Sequence, residues 1–394
     1  MSSDLKTNMV RAATPEDFPA VLQLVNSIFA MRAKISFKME KKFPLFLCED
    51  NLENIRVICH NGRPVSVAGY FPSALSIEGC QVRVASVGSV CTDSEYRGQG
   101  LASRIMDDLE AEVKTKGIGL LLISGTGSLY LRRNCALIGG FVKHELNKTS
   151  IPLTSLPGDV EILDYEPEFL DQVVHLYNHE PVRFIRSFVD FRALLQAALI
   201  ADYDCTYRMF VVKRAARIAA YFLLRIFHQH EALAEVVEYA GDRHLVAVAL
   251  KMILTGGKLN RIRVHVPVDD PLISYLRELP ARLRNENQLG TVKIADFSTL
   301  MKDLTPYFSQ YVPPEYLHSM RSNEKNGHFS FANHAGLLKM EWAESMAQLI
   351  FGFPGNKQLP EYIRERVKQQ PELKEFFDSV LPVPLPWAGN MNYV

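Results

Sequence analysis

The segment Arg97-Gly98-Gln99-Gly100-Leu101-Ala102 contains the residue types of an anion cradle. Glycines at 98 and 100 remove side chains where phosphate oxygens would approach the main chain. A helix opening at about residue 100 turns unpaired N–H groups and the positive end of its dipole toward the same point. Arg97 adds a cation. The same pattern also suits a glycine loop that merely begins a helix. A dinucleotide-binding turn fits less well, because Arg104 stands where its third glycine would be. Gly256-Gly257-Lys258 lacks the upstream glycine and the following Ser or Thr of a P-loop. His175 and His179 share a helical face, and His228 and His230 share a strand face. Neither pair has a third ligand or an H-E-x-x-H pattern, so no metal site is expected.

The elements around the turn follow from periodicity. Residues 9–13 read as a short strand, and Thr14-Pro15-Glu16-Asp17 reads as a helix start, with a hydroxyl cap, a proline and acids in the first turn. Runs at 55–59 and 65–71 flank Asn61-Gly62, a hairpin signal, and a third run at 82–91 follows the turn at Glu78-Gly79. A helix over 100–115 and a buried-looking strand over 118–124 complete a mixed α/β unit. Residues 158–290 repeat the plan with a hairpin at 210–213 and 216–227, a strand at 234–240, a helix at 245–254 and a strand at 262–266. In place of the glycine turn this second unit has Gly241-Asp242-Arg243-His244, which lacks the small residues a diphosphate requires. From about residue 290 the pattern changes to a smaller α+β unit, with an apolar helix over 342–351. The chain then ends in a proline-spaced tail, Leu381-Pro382-Val383-Pro384-Leu385-Pro386-Trp387. The expected units are 1–152, 153–289 and 290–394.

At 394 residues and 47% hydrophobic content the chain exceeds one ordinary core. Its 44 basic and 44 acidic residues cancel, without blocks of like charge, which gives no broad footprint for nucleic acid or an anionic membrane. Six scattered cysteines without a C-x-x-C pair fit reduced thiols. The polar start, and the lack of a run of ~20 apolar residues, predict a soluble cytoplasmic protein.

The order of strand, loop, R-x-x-G-x-A and helix resembles the GCN5-related N-acetyltransferase superfamily, whose cofactor motif directly follows a central strand. Here that strand is 82–91. The resemblance implies that main-chain groups of Val90, Cys91 and Thr92 pair with the pantetheine arm of acetyl-CoA, and that one N–H polarises the thioester carbonyl. Cys91 then acts through its backbone. It further implies that a tyrosine after the next strand, here Tyr130 beyond Gly125-Thr126-Gly127-Ser128, protonates the departing thiolate. The family usually has Gly-Phe or Gly-Tyr four residues later, where this chain has Asn134-Cys135; asparagine still tolerates a left-handed turn.

Two acetyltransferase-type units followed by a small sterol-carrier-protein-like domain resemble the enhanced intracellular survival acetyltransferases. Val237-Glu238-Tyr239-Ala240-Gly241-Asp242 and Val292-Lys293-Ile294-Ala295-Asp296 look like landmarks of their second and third domains. In that family the terminal carboxylate takes the proton from the acceptor amine. The resemblance therefore assigns Val394 as base or substrate clamp, at the end of a tail whose last eight residues span up to ~26 Å. It implies a homo-oligomeric enzyme that acetylates a small amine: a polyamine, an aminoglycoside or a lysine-like group. The rival expectations are a partner protein as acceptor, or a non-enzymatic acyl-CoA or lipid binder using the apolar C-terminal helix.

Overall fold

The computed structural model describes residues 9–30, 38–148, 158–202, 204–228, 232–277, 281–325, 328–333, 336–340, 343–355 and 361–393. The first unit contains β1 (Arg11–Ala12), α1 (Phe18–Val25), β2 (Ile55–His60), β3 (Arg63–Ile77), β4 (Cys80–Thr92), α2 (Leu101–Thr115), β5 (Leu120–Ile123), α3 (Ser128–Leu131) and β6 (Phe141–Asn147). Strands β2, β3 and β4 form an antiparallel meander, and β5 returns parallel to β4 after α2. Both hairpin turns take the left-handed conformation their residues tolerate: φ is 50° and 74° at Asn61 and Gly62, and 48° and 85° at Glu78 and Gly79. Helix α1 opens at Phe18, later than the sequence suggests. Residues 14–17 form a turn instead, because the Asp17 carboxylate accepts the Thr14 N–H (2.9 Å) and pairs with Arg11 (3.0 Å) rather than capping the helix.

The second unit contains β7 (Val160–Asp164), α4 (Leu170–Asn178), β8 (Val182–Phe184), α5 (Phe188–Ala198), β9 (Cys205–Arg214), β10 (Arg217–Phe227), β11 (Leu233–Gly241), α6 (Arg243–Gly256), β12 (Arg261–Pro267) and β13 (Ala281–Glu286). It repeats the antiparallel meander, crossover helix and parallel strand. The third unit opens with β14 (Thr291–Ile294) and α7 (Phe297–Phe308). It continues with the antiparallel β15 (Arg321–Lys325), β16 (His328–Asn333) and β17 (Gly336–Met340), then α8 (Ala343–Phe351) and α9 (Pro371–Val380).

The sheets do not respect these divisions. The first sheet runs β1-β2-β3-β4-β5-β14, with β8 added to the far end of β3, and the second runs β13-β6-β12-β11-β10-β9-β7. Strand β6 thus leaves the first unit for the second sheet, while β8 and β14 come back to the first. The first unit and the third also share one apolar core, in which Leu75, Val82 and Val84 meet Phe297, Leu300 and Phe329. Helix α7 approaches so closely that a Cβ on Gly119 would stand 2.8 Å from Leu300 Cα. Inside the third unit, Phe297, Phe331, Met346, Phe376 and Phe377 surround only about 10 Å³, no more than one water requires. Among the described residues no helix is long and apolar enough to cross a membrane.

After α9 the tail runs extended back to the first two units. Val383 N–H donates to Ile350 O (2.7 Å), and the Gln288 side chain clamps the tail as a strand would, donating to Pro386 O (2.7 Å) and accepting from Ala388 N–H (2.9 Å). Trp387 stacks on His265 with centroids 4.2 Å apart.

Candidate active site

Strand β4 separates from β5 at the point where chemistry was expected. Val67 pairs with Cys91 but Gly69 pairs with Gly88, so Ala68 alone opposes Ser89 and Val90, a bulge with Ser89 at φ 51°. The last link to the β5 side is Ser124 N–H to Val87 O (3.4 Å). Beyond it, Asp93 N–H donates to Val65 O (2.9 Å), and antiparallel alternation therefore turns the main-chain groups of Val90 and Thr92 toward the edge that β5 has left. Cys91, expected to act through its backbone, instead turns its main-chain groups to β3, where Ser66 Oγ donates to its carbonyl (3.2 Å), and buries its thiol. Burial pushes that thiol up to about 12, which leaves a neutral packing group. The bulge had a sequence signal in Gly88-Ser89 inside an apolar run, which the strand reading passed over.

The loop from β4 to α2 ends in the glycine turn. Gly98 and Gly100 have φ of 75° and 76°, and a Cβ on either would meet nothing within 4 Å. They are required by backbone conformation, and the space beside them is open. Gly100 caps α2 without a side-chain bond, and the first turn contains no acid. The first helical bond is Arg104 N–H to Gly100 O (3.1 Å), so the N–H groups of Leu101, Ala102 and Ser103 open the helix unpaired within it. Leu101 anchors that end in the core. Arg97 and Gln99 are exposed, and Arg97 Nε donates to Thr92 O (3.1 Å), tying the turn to the open strand edge.

The matching point of the second unit is built against anions. Asp242 caps α6 by accepting Leu245 N–H (3.1 Å), and Arg243 is taken up by Glu180 (2.8 Å) and Asp270 (2.9 Å). A Cβ on Gly241 would lie 2.3 Å from Ala219 O. Three carboxylates and no space leave no room for a diphosphate.

Tyr130 lies on α3, with Asn134 at φ 59° ending the turn and Cys135 N–H donating to Tyr130 O (3.1 Å). The edge of its ring abuts Gly125, where a Cβ would approach Cε2 to 2.1 Å. Burial, helped by nearby Cys135, Tyr393 and Cys91, pushes the phenol up to about 12, so the hydroxyl is a proton donor at neutral pH. Val394 lies outside the described residues. Tyr393 beside it donates to Ser124 O (3.4 Å), and Asn392 Oδ1 accepts from Arg186 Nε (2.6 Å). Arg186 is almost wholly buried and forks onto Glu238 (3.0 and 2.7 Å), which also accepts from Tyr221 (2.9 Å). A cavity of about 720 Å³ opens between Thr126, the second sheet and the tail. The sequence directs the tail toward the site but gives no role to Tyr393, Asn392, Arg186 or Gln288, since no motif marks partners up to 206 residues apart.

Residues 9–138 match the family described as acetyltransferase (GNAT) domain, and this stretch is an acyltransferase domain of that type. Solved structures with the same fold extend over nearly the whole chain. A GCN5-related N-acetyltransferase from Anabaena variabilis ATCC 29413 superposes with TM-score 0.66 at 13% identity, covering 96% of this chain and 98% of that one. A probable N-acyltransferase from Enterococcus faecalis V583 gives 0.66 at 12%, covering 97% and 100%. Eis1 from Mycobacterium abscessus gives 0.63 at 14%, covering 97% and 99%. No curated protein matches the sequence.

Proposed function

We propose that the chain is an N-acetyltransferase that moves an acetyl group from acetyl-CoA to a primary amine by direct attack. The observation that carries this reading is the junction of the bulged, unpaired edge of β4 with the uncapped glycine turn of α2, with Tyr130 packed on the same apolar cluster as Val90 and Leu101. The edge suits the amide-bearing arm of the donor, and the helix start suits its diphosphate. A Val90 or Thr92 N–H can polarise the thioester carbonyl as charge develops on oxygen. Acetyl transfer through Cys91 is disfavoured, because a buried thiol held near 12 is not nucleophilic at neutral pH.

The departing thiolate needs a proton or a strong hydrogen bond, and Tyr130 is the donor. A phenol held near 12 is a weaker acid than a free thiol at ~8.5, so full transfer requires that burial raise the thiolate's pKa as well. The Val394 carboxylate is assigned as base or clamp for the amine. In support, Tyr393 is anchored to Ser124, in the loop leading to Tyr130. The units 1–152, 153–289 and 290–394 divide as catalytic domain, degenerate scaffold and docking domain; the filled core of the third favours a structural role over a lipid carrier.

The test is acetyl-CoA-dependent thiol release with polyamines, aminoglycosides and lysine peptides. Tyr130→Phe should lower kcat by about 10²–10⁴-fold and leave the KM for acetyl-CoA nearly unchanged. Wild-type turnover in the variant overturns the acid; failure of the wild type to bind acetyl-CoA overturns the whole reading.

A further inference from the structure

The cavity beside the tail contains a charge that acetyl transfer does not use. Arg225 on β10 lines it, in register with Tyr207 on β9 and Glu235 on β11. Its Nε is buried without a hydrogen-bond partner, and its guanidinium lies over the Phe227 ring (4.7 Å) and beside the Cys205 thiol. It forms no ion pair with any described carboxylate.

The other cations at the wall are committed. Lys143 pairs with Glu286, Arg263 with Glu145 (2.8 Å), and Lys42 donates to the carbonyls of Ala197 and Ala198 (3.2 Å each) at the end of α5. Glu235, the register neighbour, turns to His265 Nδ1 (3.4 Å), and burial raises its carboxyl pKa against the pull of Arg225, Arg263 and Lys143. His265 is pushed down to about 4 by burial and adds no charge at neutral pH. A half-buried guanidinium with an orphaned N–H, facing a cavity large enough for a small molecule, is costly unless an anion completes it.

We propose that Arg225 is an anion subsite of this cavity, and that the acceptor is a primary amine that also carries a carboxylate or phosphate. The second half rests on the acetyltransferase reading; anion binding at Arg225 does not. The layout suits such a ligand end to end. Arg225 and Tyr393 line the same cavity, and Tyr393 donates to Ser124 O (3.4 Å) at the end of the strand that leads to Tyr130, so an anion at Arg225 leaves the far end of the ligand toward Tyr130. Arginine matches both oxyanions by its planar fork.

The experiment measures calorimetric binding to the full chain in the presence of coenzyme A, using matched pairs. 6-Aminohexanoate against hexylamine tests the carboxylate, and O-phosphoethanolamine against ethanolamine tests the phosphate. At least one acidic member should bind about 10–100-fold tighter than its neutral partner. Arg225→Gln should cut that advantage to about twofold or less, Arg225→Lys should retain part of it, and the ranking should recur in kcat/KM for thiol release. Arg225→Lys keeps the charge and decides the matter if the Gln variant does not fold.

Equal binding within both pairs by the wild type overturns the proposal. So does an Arg225→Gln variant that weakens acidic and neutral amines alike, the result expected if Arg225 serves the chain's own terminal carboxylate. Arg225-dependent binding of an acidic amine without thiol release from any acceptor leaves the subsite standing and removes the acetyltransferase reading.

Discussion

If the tail takes part in acceptor chemistry, its anchor should set the rate. Asn392→Ala removes the bond from Arg186 Nε (2.6 Å) and leaves that N–H orphaned in a fully enclosed site. A hydrogen bond to a charged group is worth about 1.5–3 kcal/mol, so the ratio of docked to undocked tail should fall roughly 10–150-fold. The Arg186–Glu238–Tyr221 network and the Gln288 clamp remain, so only the last few residues should open and the melting temperature should hold. Carboxypeptidase release of Tyr393 reads the docking ratio directly, and thiol release with one fixed amine reads the consequence. Release should accelerate by the stated factor, acceptor kcat/KM should fall by up to the same factor, and the KM for acetyl-CoA should stay near the wild-type value. Asn392→Asp, which keeps the acceptor oxygen for Arg186, should restore both. Faster trimming with unchanged acceptor kinetics would remove the tail from the acceptor site, and unchanged trimming would show that Arg186 does not hold it.

Gly100→Ala should cost about 1–2 kcal/mol from its φ of 76° and raise the KM for acetyl-CoA, whereas Gly100→Asn should lose much less. Equal damage from both would mean that the site needs the empty space and not the conformation. Burial holds the Cys91 and Cys135 thiols near 12, so the stability they contribute is complete below the unfolded thiol pKa, near 9, and is lost as pH rises toward 12. Denaturation midpoints should therefore fall between about pH 8 and pH 10.5 and fall less in Cys91→Ala/Cys135→Ala; equal slopes would refute the assignment. Native alkylation at pH 8, followed by mass spectrometry, should label the half-buried Cys48 and Cys59 well before Cys91 or Cys135.

What could be read from sequence was local. Asn61-Gly62 and Glu78-Gly79 specify their own turns, the apolar spacing of Leu101, Ile105, Met106 and Leu109 specifies the buried face of α2, and Gly98 and Gly100 announce their left-handed φ. What could not be read was non-local. Asp17 looks like part of a helix start until Arg11 claims it, and the apolar helix ending at Phe351 suggests a pocket until Phe376 and Phe377 fill the space beneath it. Strand β6 alternates like any edge of the first unit, and only pairing shows that it serves the second sheet.

That exchange bears on how the site is assembled. The edge strand β5, Leu-Leu-Leu-Ile, is covered by β14 from residue 291 onward, and the far end of β3 by β8. Without its later segments the first unit would present a flat apolar edge, the arrangement that invites strand addition by another chain. Other late segments build the cavity proposed for the acceptor, since Arg225 comes from the second sheet, Gln288 from the link into the third unit and Tyr393 from the tail. The glycine turn and the bulge belong to residues 9–138 alone. On the proposed function, donor recognition is therefore a property of one unit, while acceptor recognition depends on all three being docked, which would tie the choice of amine to the integrity of the whole chain.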